Sequence, residues 1–153
     1  MKKFDCKIEE ISIPIKMLMD KISMKELFLS PRLNYPKTFW NASQMSQYIE
    51  SILLDFPLYP FCFSLEQEKY WEIFDGYQRI KALKDYILLL DHDEQFKLQK
   101  IDLLSDLEGM TFSELPVVYK RKLLERHCKV FIVRYAEPDE IKDMLLKKFR
   151  KVH

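Results

Sequence analysis

One five-residue stretch, Asp75-Gly76-Tyr77-Gln78-Arg79, constrains the fold more than any other, because the hydrophobic period changes across it. Upstream, Tyr70-Trp71-Glu72-Ile73-Phe74 is a short apolar run rich in the residues that strands favour. Downstream, Ile80, Leu83, Ile87 and Leu90 recur at helical spacing. A strand must therefore become a helix within five residues, and the first-turn N–H groups of that helix can receive an anion. Gly76 is one of only two glycines among 153 residues. A chain so sparing of glycine is expected to place it where φ is positive or a ligand comes close. Asp75, Gln78 and Arg79 bring a carboxylate, an amide and a guanidinium to the same turn, which is read as the functional centre.

Composition limits the alternatives. A hydrophobic content of 48% and an aromatic content of 14% argue against disorder. One domain is expected for this length, able to bury about 68–70% of its unfolded surface without disulfides or a metal. Charged residues reach 32% but nearly cancel to a formal net charge of +1, so the chain as a whole is not a polyanion binder. Cys6, Cys62 and Cys128 are odd in number and far apart, and His92, His127 and His153 form no zinc spacing with them. Reduced, mostly buried thiols in a cytoplasmic protein are expected, with no metal site of their own. The N-terminus turns polar before a signal-peptide core can form, and the longest apolar run, Tyr86 to Leu90, is too short to span a membrane. No membrane partner is expected.

Ile11, Ile13 and Ile15 alternate with Ser12 and Pro14, which predicts a strand kept to an edge by its proline. Residues 24–39 read as an ordered loop. Met45, Tyr48, Ile49, Ile52 and Leu53 form one apolar stripe of a helix that Asn41 or Ser43 can cap and Pro57 stops. The runs Pro60 to Leu65 and Tyr70 to Phe74, joined by Glu66-Gln67-Glu68-Lys69, predict a hairpin with no glycine in its turn. Asp91 to Gln95 reads as a loop, and residues 96–115 as short strands. Pro116 opens a helix to about His127, Val130 to Val133 is a buried strand, and Pro138 starts a last helix. Acidic residues at the start of that helix and basic ones near its end suit the helix dipole. Strands and helices in irregular order predict an α+β domain, a small mixed sheet packed with helices.

Several of these stretches occur together in a familiar order: Trp40 to Leu54, Phe56-Pro57-Leu58-Tyr59-Pro60, and Trp71 to Arg79. The combination resembles the N-terminal domain of GmrSD-type restriction enzymes, a family with a ParB/sulfiredoxin-like fold and an Asp-Gly-Gln-Gln-Arg type motif. Tyr77 stands at the first glutamine, a position that varies in that family. Leu103-Leu104 through Gly109, Phe112 and Leu115-Pro116 extend the likeness, which covers roughly residues 25–150. The resemblance implies nucleoside triphosphate binding or hydrolysis coupled to restriction of modified foreign DNA. In many members an HNH-type nuclease domain follows. These 153 residues hold no His-Asn-His constellation, so a partner nuclease subunit and DNA reached through it are the implied partners. The family's Gln-Arg pair before the tryptophan is replaced by Tyr35-Pro36, leaving Arg32 or Lys37 to supply positive charge by reach.

In this reading Arg79 offers a planar fork to phosphate oxygens, and Gly76, Tyr77 and Gln78 approach the phosphates at the helix start. Lys37 adds a cation. Asp75 holds Mg²⁺ brought by the nucleotide, or orients a water for phosphoryl attack. The structural alternative has Asp75 capping the helix, Gly76 permitting the turn and Arg79 pairing with a carboxylate. Trp40 is a base-stacking candidate or core, and Glu50 and Ser51 are second-layer candidates or helix surface. Lys81, Lys84 and the Lys147-Lys148-Phe149-Arg150-Lys151 run read as solvated faces. Asp91-His92-Asp93 reads as a polar loop, and His127-Cys128 as strand neighbours on opposite faces. Two other functions compete: a non-catalytic adaptor or inhibitor that keeps the fold without the chemistry, and a free-standing nuclease. Near-zero net charge and few clustered carboxylates weigh against the nuclease.

Overall fold

The computed structural model describes residues 6–29, 39–88, 96–134 and 139–152. Five strands form one mixed sheet in the order β1-β5-β3-β4-β2. In chain order the elements are β1 (Lys7–Pro14), α1 (Ile15–Ser23), β2 (Leu27–Phe28), α2 (Ala42–Leu53), β3 (Phe61–Glu66), β4 (Tyr70–Asp75), α3 (Tyr77–Ile87), α4 (Val117–Glu125), β5 (His127–Arg134) and α5 (Asp139–Val152). The fold is α+β. Strand β5 lies between β1, antiparallel over the full register from Lys7↔Arg134 to Pro14↔His127, and β3, which runs parallel to it. Strands β3 and β4 form the expected hairpin, and β2 adds in parallel at the far edge.

The two-residue period of the strands divides the core. Phe61, Phe63, Val130 and Ile132 face the larger cluster, with Ile15 and Leu18 of α1, Ile49 and Ile52 of α2, Ile80 and Leu83 of α3, and Leu123 of α4. Cys62, Phe74 and Val133 face the opposite side, where Leu146 and Phe149 of α5 cover them. Lys147 and Lys148 of α5 are exposed, and Lys147 pairs with Asp143 at 3.1 Å, as a solvated face does. No helix among the described residues is long and apolar enough to cross a membrane.

Helix α2 begins as expected. Asn41 accepts from the Gln44 N–H at 2.9 Å, and the Gln44 side chain accepts from the Asn41 N–H at 2.9 Å, a reciprocal capping box. Asn41→Ala is expected to cost about 1 kcal/mol, read from the midpoint of urea unfolding. At the other end, Arg126 donates to the Phe56 carbonyl at 2.6 Å, and Lys122 donates to the Leu53 carbonyl at 3.1 Å. Both cations also approach Asp55, so α4 closes the C-terminus of α2 where carbonyls lack intrahelical partners.

The structure departs from the sequence reading in four places. Ile15 is not in the strand but opens α1, whose Ile15, Leu18, Met19 and Ile22 fall at helical spacing. Within the span read as loop, Leu27 and Phe28 pair with Trp71 and Glu72. The helix after Pro116 ends at Glu125, and His127 already belongs to β5. Residues 96–115 hold no strand but two 3₁₀ turns, Ser105–Leu107 and Phe112–Glu114. Their backbone is satisfied locally and by side chains of α2, which leaves no ladder to form. Ser46 accepts from the Gln99 N–H, Gln47 donates to the Lys100 carbonyl, and the Glu50 carboxylate accepts from the N–H groups of Asp102, Leu103 and Leu104 at 3.2, 2.9 and 2.7 Å. The Asp91-His92-Asp93 loop lies outside the described residues.

Candidate functional site

The turn between β4 and α3 is built around Gly76, which has φ +109°. A Cβ there would sit 2.7 Å from the Phe61 ring and 3.1 Å from Nη2 of Arg79, so both the backbone angle and the space require glycine. Helix α3 starts immediately, with the Ile80 N–H donating to the Gly76 carbonyl at 3.1 Å. The N-cap residue of this helix is Gly76 itself, which has no side chain to cap with.

Arg79 is the centre of the local polar structure. Its Nη1 donates to the Tyr59 carbonyl at 2.6 Å and to that of Pro60 at 3.3 Å. Its guanidinium carbon lies 4.9 Å from the Phe61 ring centre, within cation–π range. Nη2 is 3.7 Å from the Asp75 carboxylate, an ion pair longer than a hydrogen bond. The two side chains are 16% and 20% exposed, so the pair is only partly screened by water. The carboxylate that pairs with Arg79 is thus Asp75, which the structural alternative in the sequence reading assigns to capping the helix. The guanidinium edge that holds the Tyr59–Pro60 backbone is structural, and the Nη2 edge faces the carboxylate.

The remaining motif residues tie the turn to the start of α2. Gln78 Oε1 accepts from the Trp40 N–H at 3.0 Å. Tyr77 packs its ring 5.9 Å from Phe39, and Trp40 lies 5.9 Å from Tyr48. Lys81 and Lys84 both pair with Asp85. Ser51 bonds back to the Gln47 carbonyl at 2.9 Å, and the buried Glu50 holds the 102–104 backbone. Lys37 and Arg32 lie outside the described residues.

Two residues near this turn gave no functional signal in the sequence. Tyr48 reads as one more position of an apolar stripe, and Arg126 belongs to no motif. The Tyr48 hydroxyl is buried and has no hydrogen-bond partner among the described residues. Burial pushes its phenol up and Cys128 adds to that, while Arg79 and Arg126 draw it back. A hydroxyl on an aliphatic stripe was the one available clue.

The Cys62 and Cys128 thiols are poor nucleophiles. Burial, then Asp75 and Cys6, push the Cys62 thiol up. Burial carries Cys128 to about 11 against the pull of Arg126 and Arg79, so it stays protonated at neutral pH. His127 is exposed, 3.2 Å from the Ser12 hydroxyl, while Cys128 points inward. No group of three or more metal-ligating side chains occurs among the described residues. Asp75, 3.7 Å from Arg79, is the one carboxylate within residues 75–79, so a Mg²⁺ ion there would need its other ligands from phosphates and water.

A separate cavity of about 270 Å³ is lined by Leu103, Leu104, Leu107, Met110, Pro116 and Tyr119, with Ser105 and Asp106 as its polar members. No family model matches this chain, and no curated protein or solved structure matches it either.

Proposed function

We propose that this chain is a nucleoside-triphosphate-binding module of a DNA restriction or defence-related system, cytoplasmic, with a ParB/sulfiredoxin-like version of the α+β fold. The phosphates lie at the Asp75–Arg79 turn. The observation that carries this reading is the Gly76 turn: a strand ends, the backbone adopts φ +109°, and a helix whose N-cap is glycine begins beside a partly buried Asp75–Arg79 pair. That is the arrangement in which first-turn amides and a guanidinium bind phosphate oxygens. Asp75 supplies the protein carboxylate for a nucleotide-borne Mg²⁺, Gln78 is the further contact carried by the resemblance, and Lys37 stands in by reach for the Gln-Arg pair that this chain lacks. DNA is reached through a partner nuclease subunit.

Thermal unfolding with each nucleoside triphosphate, with and without Mg²⁺, tests this. A ligand at 100 times its dissociation constant should add about 2.7 kcal/mol of stability to the native chain. Arg79→Ala and Arg79→Lys should both melt earlier in the free form, having lost the Tyr59 and Pro60 contacts. The informative quantity is the ligand-dependent increment. It should vanish in Arg79→Ala and fall in Arg79→Lys, whose point charge cannot fork. An increment of equal size in all three proteins would remove the phosphates from this turn.

A second reading, the non-catalytic adaptor, is favoured by Leu103, Val117 and Val118, which are more than 60% exposed on or beside the lining of the 270 Å³ cavity. It predicts no increment with any nucleotide.

A further inference from the structure

We propose that the Tyr48 hydroxyl is a further ligand-contacting group of the Asp75–Arg79 site, donating to a phosphate oxygen held between the guanidiniums of Arg79 and Arg126. This rests on the nucleotide reading above. Tyr48 sits on α2, which packs against both α3 and α4. Its ring joins the main core cluster, where phenylalanine would serve equally well for packing. The hydroxyl is buried and unpartnered among the described residues, and a buried polar group without a partner is costly unless something else satisfies it.

That hydroxyl is buried beside the core, with Cys128 on one hand and two cations within electrostatic reach on the other. Arg79 reaches in from α3 and donates to the Tyr59 and Pro60 carbonyls. Arg126, just after α4, donates to the Phe56 carbonyl. The two guanidiniums therefore clamp opposite ends of the 56–60 segment, and both act on the Tyr48 phenol. The same phenol lies beside Trp40, whose N–H is bonded to Gln78 of the turn. A protonated hydroxyl in the field of two cations, next to a phosphate-binding turn, is placed to donate to an anion. The chemical class is a phosphate-bearing ligand, and a trapped water is the other occupant that the chemistry permits.

Calorimetric titration of the intact chain and of Tyr48→Phe with ATP and with inorganic tripolyphosphate separates these. Free Tyr48→Phe should melt no earlier than the native chain, since it removes an orphan hydroxyl and keeps the ring. It should bind both ligands about tenfold more weakly, the loss of one hydrogen bond to a charged group. Weakening for ATP but not for tripolyphosphate would move the hydroxyl to the nucleoside and overturn the phosphate contact. Equal affinities in the two proteins would assign the hydroxyl to water and leave the nucleotide reading intact. No binding of either ligand to the native chain would remove that reading and this contact together.

Discussion

Glu50→Ala is expected to destabilise the protein by about 2–3 kcal/mol. Glu50 is only 4% exposed, and its two carboxylate oxygens accept three consecutive backbone N–H groups, those of Asp102, Leu103 and Leu104. Truncation removes all three acceptors at once and leaves a space at the α2 surface. Asp102 and Leu103 are exposed, so water can replace part of the loss, which keeps the figure below three full desolvation penalties. Glu50→Gln keeps the shape and one good acceptor and should cost about half as much. Urea unfolding measures the stability, and amide exchange at Leu103 and Leu104 locates it. A loss under about 0.5 kcal/mol with unchanged exchange would show that the segment holds itself in place.

Gly76→Ala should cost about 2–4 kcal/mol, from strain at positive φ together with overpacking. The added methyl meets the ring of Phe61, which is fully buried and cannot yield, and crowds Nη2 of Arg79. Relief by rotation of the turn would pull Arg79 away from Asp75 and from the Tyr59 carbonyl. The nucleotide-dependent increment should therefore fall along with the stability. A variant with native melting temperature would mean that the turn relaxes freely, and the argument from close packing at Gly76 would fail. Gly109, at φ +80° with open space around it, meets no such wall.

Much of the architecture was legible because it rests on local chemistry. The α2 stripe, its Asn41 cap, the β3–β4 hairpin and the strand-to-helix switch at Gly76 all depend on residues within one or two turns of each other. The glycine-free hairpin turn is closed by Gln67 and Glu68, both at positive φ. Sequence failed where two periods met or where partners came from far away. Ile11, Ile13 and Ile15 alternate, yet Ile15 also starts the series Ile15, Leu18, Met19, Ile22, and the helix won because it buries the first three and packs Ile22 against the same core. Residues 96–115 carry strand-like apolar residues, but their backbone donors are taken by Ser46 and Glu50, some fifty positions earlier.

The candidate site divides along the same line. Its residue types and the need for glycine follow from the order Asp-Gly-Tyr-Gln-Arg alone, whereas the pairing of Asp75 with Arg79 does not, because Asp75 ends β4 and Gly76 at φ +109° lies between it and the helix. What Arg79 holds on its other edge, and that Arg126 flanks the same segment, could come only from the tertiary structure. The carbonyls of Phe56, Tyr59 and Pro60 have no side-chain signature, and a backbone acceptor becomes specific to one cation only when packing of α2, α3 and α4 brings them together. The Tyr48 hydroxyl belongs to the same class: an apolar stripe determines that its ring is buried, and only the fold determines which charges meet its oxygen.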